Sequence, residues 1–113
     1  MVRFMYVRDK KKCPVGCLAY RIEKDSTTGE VNVTYGLSTH NPVDTFDRSR
    51  ARLIAEGRLN QHGAVFQYKG DDSKSNEVVT EVLRVLRSDK NIPMRFRKAA
   101  LNWLNEVKTA KKN

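Results

Sequence analysis

Between Ser38 and Arg48 the chain reads Ser-Thr-His-Asn-Pro-Val-Asp-Thr-Phe-Asp-Arg, which puts an imidazole, hydroxyls, two carboxylates and a guanidinium close together. Beside a helix N-terminus, His40 could act as a general base, Asp44 or Asp47 could orient it or hold a metal ion, and Arg48 could clamp a phosphate. That set would suit metal-dependent cleavage of a phosphodiester. The same residues have a plainer use. Asn41 is a favoured N-cap and Pro42 suits the first helical position. Asp44 and Asp47 complement the positive end of the helix dipole, each by about 0.3–1 kcal/mol. Asp44 with Asp47 also offers a second helix start, one turn later. Capping accounts for most of the set without chemistry, so the chain reads as non-enzymatic, with a His40 nuclease as the outlying alternative. No glycine-rich phosphate loop, HExxH or other paired-carboxylate motif occurs elsewhere.

The cysteines offer little more. Cys13 and Cys17 are separated by three residues rather than the two of a zinc knuckle. A tetrahedral site would have to recruit His40 and His62 from distant parts of the chain. Two cysteines make no disulfide framework, and Cys17 reads as a reduced structural thiol. No metal and no cofactor is expected.

Charge is the strongest bulk signal. Lys and Arg number 22 against 13 Asp and Glu, leaving +9 on 113 residues. Such a chain is drawn to polyanions at long range, and salt weakens the attraction. Nucleic acid is the usual polyanion, an acidic protein or anionic lipid also fits, and solubility alone is the minimal explanation. The basic groups considered for contact lie in three places: Lys10, Lys11 and Lys12 in a loop; Arg48, Arg50, Arg52 and Arg58 on one helix; Arg95, Arg97 and Lys98 on another. Arginine suits phosphates and guanine edges through its bidentate fork.

Periodicity supplies the elements that must position these groups. Val2–Arg8 reads as a strand with Val2, Phe4 and Tyr6 on one face and Arg3 and Met5 on the other. Asp9–Pro14 is a loop with a mobile basic tip, and Val15–Glu23 is a second strand. Lys24–Glu30 is a hairpin loop in which Gly29 can take a positive φ. Val31–Ser38 alternates most clearly, with Val31, Val33, Tyr35 and Leu37 on one side and Asn32, Thr34, Gly36 and Ser38 on an exposed polar side. The three strands make an antiparallel meander whose apolar face needs a cover, assigned to the helix that follows. A helical wheel turns Phe46, Leu53, Ile54 and Gly57 of that helix toward the sheet, with Gly57 marking a close backbone approach. Arg48, Arg52 and Glu56 then face solvent, and Arg50 and Arg58 flank the apolar stripe. Gly63 is placed as the residue just past the helix end.

A short fourth strand follows at Ala64–Lys69. A second helix runs from Asn76 or Glu77 to about Arg87, with Val78, Val79, Val82, Leu83 and Leu86 inward. Pro93 opens a third helix along Phe96, Ala100, Trp103 and Val107, with Leu101 and Leu104 beside that line. Lys108–Asn113 is expected to fray as a basic tail. The order β-β-β-α-β-α-α makes residues 1–113 a single α+β domain, an antiparallel three- to four-stranded sheet covered by helices. No run approaches the ~18–20 apolar residues of a membrane span. The opening residues have their apolar groups before their charges, the reverse of a secretory signal, so a cytoplasmic protein is expected.

The run Leu37–Arg48, continued through Ala51–Leu59, together with Met5–Asp9 and Pro14–Ala19, resembles small uncharacterised proteins encoded by tailed bacteriophages. The resemblance covers roughly the first half of the chain and leaves out Asn76–Asn113. No activity is defined for that group, so it transfers no functional residue. It implies a setting, the cytoplasm of an infected bacterium, and partners among host nucleic-acid machinery or defence systems. The first functional expectation is contact with DNA or RNA through the basic surfaces. The second is an inhibitor or adaptor that binds a host protein directly.

Overall fold

The structure, a computed structural model, describes residues 2–40, 45–69 and 75–111. Its elements are β1 (Arg3–Arg8), β2 (Pro14–Lys24), β3 (Val31–Thr39), α1 (Arg48–His62), β4 (Ala64–Tyr68), α2 (Ser75–Leu86) and α3 (Met94–Lys111). The strands form one antiparallel sheet in the order β1-β2-β3-β4. The expected α+β class and element order hold. Among the described residues no helix is long and apolar enough to cross a membrane.

Strand pairing sorts large and small side chains onto opposite faces of the sheet. Met5 lies opposite Leu18, and Leu18 opposite Leu37; Ile22 lies opposite Val33, and Val33 opposite Phe66. On the other face Phe4 is opposite Ala19, and Ala19 opposite Gly36, while Tyr6 is opposite Cys17, and Cys17 opposite Ser38. The hairpin between β2 and β3 fixes this register. Asp25 accepts backbone hydrogen bonds from Thr27 (2.8 Å) and Thr28 (3.3 Å), and Gly29 takes the positive φ of 76° that its position requires.

The large-residue face is covered by α2 and α3, not by α1. Val78, Val79, Val82, Leu83 and Leu86 of α2 and Phe96, Ala99, Ala100 and Leu104 of α3 are all buried in one cluster with it. α3 is helical through Lys111, past the point where a frayed tail was expected. The face carrying Gly36 and Ser38, expected to be exposed, lies under α1, and both residues are buried.

α1 meets that face with its smallest residues. Ala51, Ala55 and Leu59, at i, i+4 and i+8, are buried against Cys17 and Ala19. A Cβ placed on Gly36 would stand 2.7 Å from the Ala55 carbonyl oxygen, so the close backbone approach occurs at this strand glycine. Gly57 faces open space, and Leu53, expected inward, is 73% exposed. The wheel centred on the largest hydrophobic residues was therefore turned to the wrong side. A helix seated on glycine, alanine and cysteine must itself present small residues, and such a stripe has little hydrophobic contrast. Phe46 alone of the expected set packs inward, at the edge of this layer.

The helix starts at the later of the two candidate positions. Asp47 is the N-cap, its carboxylate accepting from the Arg50 backbone N–H at 3.1 Å. The earlier start, with Asn41, Pro42 and Asp44, lies outside the described residues. Gly63 ends α1 in an extended conformation (φ −61°), so it is not a left-handed cap.

Candidate nucleic-acid interface

Because α1 buries Ala51 and Ala55, the adjoining flank of the helix hangs over β1. Arg48 and Arg52 are one turn apart, a rise of about 6 Å, while Phe4 and Tyr6 on one face of a strand are about 6.7 Å apart. The two spacings match. The Arg52 guanidinium carbon lies 4.4 Å from the Phe4 ring centroid, and that of Arg48 lies 5.4 Å from the Tyr6 ring centroid. Such contacts at exposed sites contribute about 0.5–1 kcal/mol and hold the planar head group in place. Both arginines stay exposed, and neither forms a salt bridge among the described residues. They were expected to face open solvent; instead they lie against β1 while keeping their donors accessible.

β1 leads directly into the lysine loop. Asp9 organises this loop, its Oδ1 accepting from the backbone N–H of Lys11 (2.9 Å) and Cys13 (3.0 Å). The Asp9 carbonyl accepts from Lys12 N–H at 3.0 Å, and Lys12 adopts a left-handed φ of 65°. Local side-chain-to-backbone bonds thus shape the base of the basic tip. Lys10, Lys11 and Lys12 all remain exposed. Arg8 donates to the Lys12 carbonyl at 3.0 Å, and Lys12 Nζ lies 3.7 Å from Glu106 on α3. From Arg52 and Arg48 over β1 the chain thus leads through Arg8 to the lysine loop, where Lys12 reaches toward α3, the helix on the other face of the sheet.

The other basic residues have different placements. Arg95 ties α3 to the loops, lying 3.8 Å from the Asp9 carboxylate and donating to the His40 carbonyl at 3.3 Å. Arg58 donates to the Leu37 carbonyl at 2.8 Å on the opposite flank of α1. Arg97 and Lys98 line a separate groove of about 310 Å³ with Arg87, Met94 and Leu101. Arg50 borders a cleft of about 450 Å³ between the end of β3 and the start of α1.

That cleft also holds the groups considered for catalysis. His40 packs edge-on against Phe46 with ring centroids 5.1 Å apart, and Phe46 packs edge-on against Tyr6 at 5.9 Å. Asp47 caps α1 and Arg48 lies over Tyr6, so the described members of the set are engaged in separate contacts. Asp44 lies outside the described residues. No three of His, Cys, Asp and Glu gather as a metal ligand set among the described residues. Burial pushes the Cys17 thiol up to about 11, against the opposing pull of the nearby Arg52 charge, whereas Cys13 is exposed on the loop.

Taken singly, Phe4, Tyr6 and Phe46 carry no functional signal in the sequence, because aromatic residues alternating along a strand, or lying on the apolar side of a helical wheel, look like core. The available signal was the shared spacing: aromatics at i and i+2 in a strand, arginines at i and i+4 in a helix. No family model matches the chain, and no curated protein or solved structure matches it either.

Proposed function

We propose that this protein is a small, non-enzymatic nucleic-acid-binding protein that receives DNA or RNA along β1. One observation carries the reading: Arg48 and Arg52 are held over Tyr6 and Phe4, exposed and without an ion pair among the described residues, over the strand that leads into the loop of Lys10, Lys11 and Lys12. Fixed guanidinium groups lose little freedom on meeting a phosphate or a base, and the lysines extend the positive field. The setting proposed with it is the one that the sequence resemblance implies, the cytoplasm of an infected bacterium, with host nucleic-acid machinery as the place of action.

A second reading, direct binding of a host protein, draws on the groove between α2 and α3. Exposed Met94 and Leu101 lie there among Arg87, Arg97 and Lys98, a surface suited to an acidic, partly apolar partner.

Fluorescence anisotropy with short labelled DNA and RNA at several salt concentrations tests the first reading. Binding should weaken steeply with salt. Arg48→Ala and Arg52→Ala should each reduce the logarithmic salt slope by about 1 wherever that arginine neutralises a phosphate. If the doubly substituted protein binds as tightly and with the same slope as the parent, β1 is not the binding surface.

A further inference from the structure

We propose that the preferred nucleic acid is single-stranded, and that Arg48, Arg52 and the cleft at His40 and Phe46 receive its bases as well as its phosphates. This inference rests on the nucleic-acid reading above and specifies its ligand.

The fold leaves a duplex few ways to be read. One face of the sheet is closed by α2 and α3, and α1 packs across the middle of the other, which leaves accessible only the two ends of that face, at β1 and at β4. The outward side of α1 breaks up its exposed donors, Ser49 and Arg50 at one end and Asn60 and Gln61 at the other, with Leu53 and Gly57 between them. β4 itself is uncharged, whereas the β1 end carries Arg48 and Arg52, and the seam there between α1 and β1 consists of flat groups. Guanidinium planes and aromatic rings receive the faces of bases, which a duplex hides and a single strand displays.

Spacing points the same way. Stacked bases repeat every ~3.4 Å, whereas Arg48 and Arg52 are about 6 Å apart along α1. Bases resting on both must be parted from each other, which an intact duplex does not permit. The flat groups also continue beyond Arg48. Tyr6 touches Phe46, and Phe46 touches His40, leading from β1 into the cleft of about 450 Å³. A cleft of that size accommodates a splayed base. Thr39, Thr45, Asp47 and Arg50 border it with hydroxyls, a carboxylate and a guanidinium that can meet the hydrogen-bonding edge of a base.

The test compares one strand of DNA, the matching RNA, their perfect duplexes and an abasic strand of equal length and charge. Single strands should bind at least about tenfold more tightly than the duplexes and the abasic strand, because only they offer bases to stack. Arg48→Lys/Arg52→Lys keeps both charges and removes both planes. It should lose about tenfold or more on single strands while keeping the salt slope and the duplex affinity. The DNA and RNA arms show whether the 2′-hydroxyl matters. Equal binding of the abasic strand, equal binding of the duplexes, or an unchanged lysine variant would each overturn the single-strand assignment while leaving nucleic-acid binding intact. Failure to bind any of the polymers at low salt would overturn both.

Discussion

Adding one methyl group at Gly36 tests the packing of α1 at its tightest point. The new Cβ would stand 2.7 Å from the Ala55 carbonyl oxygen and 2.8 Å from Leu59 Cα, both backbone atoms of α1. Non-bonded carbon contacts settle at about 3.5–4.0 Å, so α1 must lift by roughly 0.7–1 Å. A gap of that size forfeits about a quarter to a half of the dispersion attraction between surfaces in contact. The surfaces affected are those of Ala51, Ala55 and Leu59 against Cys17 and Ala19. Overpacking of this kind costs about 1–3 kcal/mol, and restricting the unfolded chain returns about 0.4–1 kcal/mol. The expected net loss for Gly36→Ala is therefore about 1–2 kcal/mol. Gly57→Ala supplies the opposite case. It adds a methyl to a helix interior where the new group meets nothing within 4 Å, and should stabilise by about 0.5–1 kcal/mol. Urea unfolding followed by the fluorescence of Trp103, which packs against the main core, gives both midpoints. A neutral Gly36→Ala together with a destabilising Gly57→Ala would refute the reasoning, because Gly57 would then be the glycine that meets the sheet.

Two further perturbations probe single groups. The Cys17 thiol is raised from 9.0 to about 11, so folding favours its neutral form. The resulting stability is fully present below about pH 9 and is lost as pH rises through about 11, on the order of 2 kcal/mol in all. Urea midpoints should thus fall between about pH 8.5 and 10.5, and fall less in Cys17→Ala; equal slopes in the two proteins would contradict the assignment. The tyrosine Tyr35, also raised by burial and by the Asp89 carboxylate, would contribute to whatever slope remains at the alkaline end. Asp47→Ala removes the cap on Arg50 N–H and should cost about 1 kcal/mol, whereas Asp47→Asn, which can still cap, should recover most of it. If the two variants unfold alike, the helix does not start where the structure places it.

The parts of the fold legible in the sequence are those where hydrophobic contrast is high. Val31, Val33, Tyr35 and Leu37 alternate cleanly with polar residues, and the inward stripe of α2 is set against charged neighbours. α1 lacks that contrast. Among the described residues its buried side chains are two alanines and a leucine, and its most exposed hydrophobic residue, Leu53, is larger than either alanine. Only the complementary surface on β2 and β3 reveals which stripe faces inward, and periodicity within a single element carries no information about its partner. The candidate site divides along the same line. The basic residues were visible as a composition, but the seating of Arg48 and Arg52 on Tyr6 and Phe4 depends on how a helix lies across a strand more than forty residues away.

The sheet also has two open edges, and they are not equally protected. Strand edges invite pairing with another chain, and charged side chains are a common means of preventing it. Along β1 the ends carry Arg3 and Arg8, and Arg48 and Arg52 lie above the aromatics, so a second copy approaching edge to edge would meet its own charge. β4 is less guarded among the described residues: Ala64–Tyr68 is uncharged, with Val65 largely exposed and Lys69 the one charge directly at its end. Where β3 extends beyond its pairing with β4, Arg58 takes the Leu37 carbonyl and occupies that stub. Self-association at high protein concentration should therefore begin at β4. Neutralising the β1 row with a bound polyanion would remove the charge that protects the other edge, making aggregation in dilute polyanion a sensitive report of which edge is in use.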